Sequence, residues 1–185
     1  MGRNKALMGY RHIWLPSVGY ALAAWPLHAK QLHPIAIASN NAFIPKMGFC
    51  RSTCRHIIFG SKAYGGFGLT SLADFQGVNQ TTLFVQHIRL MDSVGKMLRI
   101  GYSWAQLFCG VSFQILSDPT TNLPHAPIGW FYHLRRFLAS SEVSIELPLP
   151  IFRLPQLLRR GDCNLMDAFL SLKRTPAKIR TLNLC

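Results

Sequence analysis

Residues 45–69 read PKMGFCRSTCRHIIFGSKAYGGFGL, and this stretch decides how the chain is organised. Four cations (Lys46, Arg51, Arg55, Lys62) and five glycines (Gly48, Gly60, Gly65, Gly66, Gly68) surround one short apolar run, His56-Ile57-Ile58-Phe59, with no acid among them. Glycine lets a chain turn through the left-handed region and lets another group approach its backbone, while Lys and Arg neutralise phosphate. A long glycine-rich basic loop between helical segments is therefore expected. It carries a short extended piece at 56–59, too brief to imply a sheet. The bland reading is a loop that simply turns the chain, with Phe49, Phe59 and Phe67 pinning it to the helices.

On either side the pattern is helical. Residues 3–25 read as one helix kinked or broken at Pro16, which lacks a donor, and ended by Pro26. Residues 29–43 read as a second, with Leu32, Ile35, Ala36 and Phe43 as its apolar face and Pro34 tolerated in the first turn. Beyond the loop, Thr70 is placed to cap a helix reaching Arg89, with Asp74 in its first turn. Ser93 is placed to cap another reaching Phe113, with Trp104, Leu107, Phe108, Val111 and Ile115 as a core face. Residues 118–127, DPTTNLPHAP, are loop by composition. Pro127 opens a helix through Trp130, Leu134 and Leu138, with Arg135 and Arg136 toward solvent. Val143–Leu147 alternates weakly, as an edge strand would. Pro148, Pro150 and Pro155 make a rigid connector, and Asp162 caps a last helix facing inward through Leu165, Phe169 and Leu172. The expected fold is mainly α: an irregular helical assembly with at most one short strand pair.

Charge narrows the partners. The 185 residues hold 20 Lys+Arg against 7 Asp+Glu, and the first acid is Asp74, so residues 1–73 carry eight Lys/Arg and no carboxylate. That distribution points to a polyanion. Five cysteines (Cys50, Cys54, Cys109, Cys163, Cys185) form no disulfide framework and fit a reducing compartment. Arg11 and His12 interrupt the first apolar run, unlike a signal peptide. The uncharged windows 12–29 and 100–117 contain prolines or polar residues and read as core helices, so a membrane is not the expected partner.

Catalytic groups are sparse. The acids are scattered, with no adjacent aspartate pair for a two-metal site, and Asp162 and Asp167 do not share a helical face. Cys50, Cys54 and His56 form C-x3-C-x-H without a fourth ligand at zinc-site spacing. No nucleophile elbow, phosphate-binding P-loop or dinucleotide fingerprint occurs. No catalytic residue, metal or cofactor is expected.

Four stretches are familiar in order: LPSVGY (15–20), IPKMGFCR (44–51), FGSKAYGGFGL (59–69) and MDAF (166–169). Together they resemble the thumb and post-thumb connector downstream of the palm in reverse transcriptases of non-LTR (LINE-type) retrotransposons. IRTLNLC (179–185) is similar to the start of a further element of that family. Ser61 stands where the family has proline, and Thr53-Cys54 where it has phenylalanine-proline, which implies relaxed constraint. The aromatic-x-Asp-Asp motif of the palm has no counterpart here.

The resemblance implies thumb-like helices over 1–45, a basic connector loop over 46–69, a helical connector domain over 70–172 and a truncated basic tail over 173–185. It implies a fragment of an RNA-directed DNA polymerase, without polymerase activity, that keeps a salt-sensitive, non-specific grip on RNA or DNA backbones. Lys46, Arg51, Arg55 and Lys62 are the expected phosphate contacts, and Gly65, Gly66 and Gly68 the points of close approach. The cytoplasm or nucleus is the expected location. The alternatives are a membrane-associated basic protein and a reading-frame product without function.

Overall fold

The structure, a computed structural model, describes residues 2–147 and 165–172. The protein is mainly α, and no strand occurs among the described residues. The helices are α1 (Arg3–Met8), α2 (Leu15–Ala24), α3 (Ala29–Phe43), α4 (Arg55–Phe59), α5 (Leu72–Leu90), α6 (Ser93–Cys109), α7 (Trp130–Ser140) and α8 (Leu165–Ser171). The chain divides into two compact units, Met1–Leu83 and Phe84–Cys185, with the boundary inside α5. Segments 1–45 and 46–69 thus fall together in the first unit.

In the first unit, α1 and α2 are joined without a break by a π-helical stretch, Gly9–Trp14. Its cause is Pro16, which has no N–H to offer the His12 carbonyl and whose ring crowds it. The helix widens instead of breaking: the Leu15 N–H reaches the Tyr10 carbonyl, five residues back. The Ser17 hydroxyl donates to the Ile13 carbonyl at 2.6 Å. α3 has the predicted limits and is opened by His28, whose N–H donates to Gln31 Oε1 at 3.0 Å. Pro34 lies in its second turn rather than its first. Ile35 and Ile37 face outward; Leu32, Ser39 and Phe43 face inward.

Residues 45–69 are not a long irregular loop. A 3-10 turn at Pro45–Met47 ends on Gly48 at φ +87°, and α4 and a second 3-10 turn, Lys62–Tyr64, follow. The apolar run expected to be extended is thus one turn of helix. That conformation buries Ile58 and leaves Ile57 at the surface. Ile44, Met47, Ile58, Leu69 and Leu72 join Ala6, Tyr10, Leu15, Leu22 and Leu32 in one core. Each enclosed aliphatic chain contributes about 1.5–3 kcal/mol. α5 packs onto this core with the Phe75 ring against Gly19, where a Cβ would stand 2.0 Å from the ring. The Gln76 amide meets Leu27 at both its backbone N–H (3.0 Å) and its carbonyl (3.2 Å), fixing the turn before α3.

The predicted caps of α5 and α6 are each displaced by one residue. Ser71, not Thr70, caps α5: its hydroxyl accepts the Asp74 N–H at 3.1 Å and donates to the Asp74 carboxylate at 2.7 Å. Thr70 instead gives its carbonyl to Tyr10. Asp92, not Ser93, caps α6, accepting the Gly95 N–H at 2.7 Å while holding His87 Nδ1 at 2.6 Å. Those two hydrogen bonds keep the Asp92 carboxyl below its usual range.

In the second unit α6 stops at Cys109, short of Phe113, on Gly110 at φ +64°. Val111, Ile115 and Leu116 enter the core from a non-helical segment. Trp104, Leu107 and Phe108, expected in the core, lie at the surface, with Trp104 56% exposed. The inward face of α6 is Tyr102, Gln106 and Cys109. Gln106, fully buried, donates to the carbonyls of Val111 (3.0 Å) and Phe113 (2.8 Å) and accepts the Ile115 N–H (3.1 Å). A single side chain thereby replaces the helix as partner for the segment after Gly110. His125 Nε2 donates to the Cys109 carbonyl at 2.9 Å and secures the following loop.

α7 carries Leu134 and Leu138 inward as expected, but Arg135 goes in with them and only Arg136 faces out. Residues 143–147 form no strand; Ile145 makes a single backbone hydrogen bond to Leu116, at 2.9 Å. On α8, Met166 is buried and Phe169 partly so, whereas Leu165, and Leu172 just after the helix, are exposed. The proline connector, the Asp162 cap and the tail after 172 lie outside the described residues.

Candidate nucleic-acid interface

The surface formed by residues 45–69 owes its shape to backbone folded back on itself. The N–H groups of Phe67 and Leu69 donate to Ile57 (2.7 Å) and Ile58 (3.1 Å), and that of Gly68 to Gly60 (2.8 Å). The two strands of backbone touch at Gly66 and Gly60, where a Cβ on Gly66 would stand 2.2 Å from the Gly60 carbonyl oxygen. Gly65 sits at φ +79° with open space around it, and Gly68 at φ +67° against the aliphatic part of Lys62. The close approach that Gly66 permits is therefore to Gly60, and that of Gly68 to Lys62. Gly65 alone of the three presents open backbone.

Lys46, Arg51 and Lys62 are exposed and Arg55 is half-buried. Arg55 Nη2 reaches the Arg51 carbonyl at 3.4 Å, which gathers these two cations, while Arg55 Nη1 is enclosed with no acceptor. Lys62 is brought to the glycine turn by its contact with Gly68. Lys46 stands on the separate Pro45–Met47 turn. Among the described residues, none of the eight Lys/Arg of the first unit is within ion-pair distance of a carboxylate. The single acid of that unit, Asp74, is bound to Ser71.

The aromatics divide cleanly. Phe49, Phe59 and Phe67 are packed against the core, with Phe49 and Phe67 edge to face at 4.6 Å. Tyr64 is 93% exposed. It is the ring of this stretch that stands free to stack on a base.

Residues 3–11 of the N-terminal helix contribute groups that the loop sequence does not reveal. The Arg3 guanidinium lies over the rings of Phe49 (5.6 Å) and Phe67 (5.3 Å), and Arg11 Nη2 donates to the Gly68 carbonyl at 2.9 Å. The Tyr10 hydroxyl donates to the Thr70 carbonyl at 2.9 Å, and burial raises its pKa to about 12. The available signal was an acid-free helix carrying Arg3, Lys5 and Arg11 ahead of a basic turn.

Among the described residues the thiols gather no metal set. Cys50 and Cys54 are exposed, Cys50 lies 3.1 Å from the Ser52 hydroxyl, and that hydrogen bond lowers its pKa. No group of three or more His, Cys, Asp or Glu with metal-site geometry occurs among the described residues. Nor, among those residues, is any helix long and apolar enough to cross a membrane. Comparison with protein-family models, with curated proteins and with solved structures yields no match.

Proposed function

We propose that this chain is a non-catalytic remnant of a retrotransposon reverse transcriptase that binds RNA or DNA through its backbone. The ancestry rests on the four motif stretches between residues 15 and 169. The binding rests on one observation: a compact unit with eight Lys/Arg, one carboxylate, and no ion pair among its described cations. Cations whose charge no carboxylate neutralises are free to release the counterions of a polyanion. Lys46, Arg51, Arg55 and Lys62 make the phosphate contacts, with Arg55 gathered beside Arg51 by its bond to the Arg51 carbonyl. Gly65, Gly66 and Gly68 set the turn that carries Lys62 and Tyr64, and Tyr64 supplies a stacking face. Such a protein works in the cytoplasm or nucleus, where RNA and DNA are.

The test is the salt dependence of binding to a single-stranded RNA and to a DNA duplex, measured by fluorescence anisotropy. Replacing Lys46, Arg51, Arg55 and Lys62 by glutamine weakens binding and flattens the slope of log K against log salt by about 0.7 per lost single-strand phosphate contact. Unchanged affinity and slope would remove the assignment. The chain extends no primer; extension by a clean preparation overturns its non-catalytic part.

A further inference from the structure

The second unit holds a cavity of about 230 Å³ between α6, the loop after it and α7. Its wall is almost wholly apolar, with Trp104 and Phe108 on one side and Trp130 and Phe131 on the other. One residue breaks the pattern. Arg135 lines the cavity although it is only 7% exposed.

A buried guanidinium is ordinarily matched by a carboxylate, because burial of an unpaired charge is costly. Here two neutral acceptors hold it: Nη1 donates to the Ile115 carbonyl at 3.0 Å and Nη2 to the Thr121 carbonyl. Asp118 acts on it only from beyond ion-pair distance, and the Asp118 oxygens are taken by Thr120 and Thr121. Five N–H donors belong to a guanidinium, so two carbonyls leave both charge and donors for another anion. The Cys109 thiol, also in the wall, is no such anion: burial raises its pKa to about 11.

We propose that this cavity binds a small apolar carboxylate, its body between the aromatic rings of α6 and α7 and its carboxylate toward Arg135. A cavity of about 150 Å³ accepts benzene, so this one takes an aromatic or medium-chain acid of roughly ten to twelve non-hydrogen atoms. The site lies wholly within the second unit and needs none of the cations of residues 45–69.

The experiment titrates the full chain with 4-phenylbutyrate and with its neutral isostere 4-phenylbutanamide, read through the fluorescence of Trp104 and Trp130. Expected are saturable one-to-one binding and at least a ~10-fold preference for the carboxylate, the scale of one charge-assisted hydrogen bond. Equal affinities overturn the role of Arg135, and absence of saturation overturns the site. Ala126→Phe, which fills the cavity from its loop wall, abolishes both titrations with the helical circular dichroism intact; normal binding by this variant also overturns the site. The Lys46, Arg51, Arg55 and Lys62 glutamine variant retains the carboxylate preference. Its loss there would reassign the signal to general attraction of anions by the first unit.

Discussion

Gly66 and Gly60 meet backbone to backbone, so closely that the first methyl group of any other side chain at Gly66 would fall 2.2 Å from the Gly60 carbonyl oxygen. This contact, more than any charge, gives residues 45–69 their shape. Gly66→Ala must push two backbone segments apart and costs about 2–3 kcal/mol, in the range of overpacked sites. Gly65→Ala meets open space and costs only the left-handed strain, about 1–2 kcal/mol. Urea unfolding of the two variants, compared side by side, checks the order; a Gly66 variant no weaker than the Gly65 variant contradicts the contact.

Tyr64 carries the stacking contribution of the proposed interface. Tyr64→Ala leaves stability unchanged, since the ring touches nothing that holds the fold, and lowers affinity for single-stranded RNA by about 1–3 kcal/mol. Duplex DNA, whose bases are stacked on one another, loses much less. Anisotropy titrations against both nucleic acids separate the two outcomes.

Gln106 is worth more than its single side chain implies. Gln106→Leu keeps the volume but orphans the carbonyls of Val111 and Phe113 and the Ile115 N–H. At about 1 kcal/mol or more for each buried group left unpaired, the loss is about 3 kcal/mol or greater. A fall of the urea midpoint with an unchanged slope is the expected signature.

Alkali unfolds the first unit partly through Tyr10. The unfolded phenol ionises near pH 10 and the folded one at about 12, so the raised folded value stabilises below pH 10 and is lost as pH climbs toward 12. Tyr10→Phe removes that dependence. It also costs about 1 kcal/mol at pH 7, through loss of the bond to Thr70. The wild type therefore loses more stability than the variant between pH 9 and 11, measured by urea unfolding.

The Asp118 loop responds at the other end of the scale. Hydrogen bonds from the Thr120 and Thr121 side chains lower its pKa to about 2. Its stabilisation is complete above the ordinary carboxylate range and disappears as pH falls toward 2. Asp118→Asn flattens this acid limb and loosens Thr121, whose carbonyl holds Arg135. Two-dimensional NMR of the Thr120 and Thr121 amides through an acid titration reports it.

The longer helices were legible in outline, because Pro26 and Gly48 punctuate the chain, but Ser71 and Gly110 set ends expected at Thr70 and Phe113, and α4 was expected to be extended. Which side of a helix faces inward was less so. On α6 the periodic run of Trp104, Leu107 and Phe108 is as apolar as a core face. Val111 and Ile115 do reach the core as expected, but with Leu116 and from beyond the helix, folded back by a buried glutamine. Hydrophobic period ranks apolar residues and passes over Gln106 and Arg135, whose burial depends on backbone partners outside their own helices. Within residues 45–69 the cations and the left-handed glycines were visible from composition. The Arg3 and Arg11 contacts were not, because they cross from another helix.

The widened stretch at Gly9–Trp14 fixes the register in which Ala6 and Leu15 both turn to one core. A π segment holds one residue more than an α-helix between the same two faces. Removal of one residue there would bring the Pro16 ring back against the carbonyl four residues earlier, so Ala6 and Leu15 could share their core only across a kink. The same deletion in the middle of α3 would swing Leu32 about 100° away from Ser39. The number of residues just ahead of Pro16 is therefore set by the proline, and in α3 by the regular repeat.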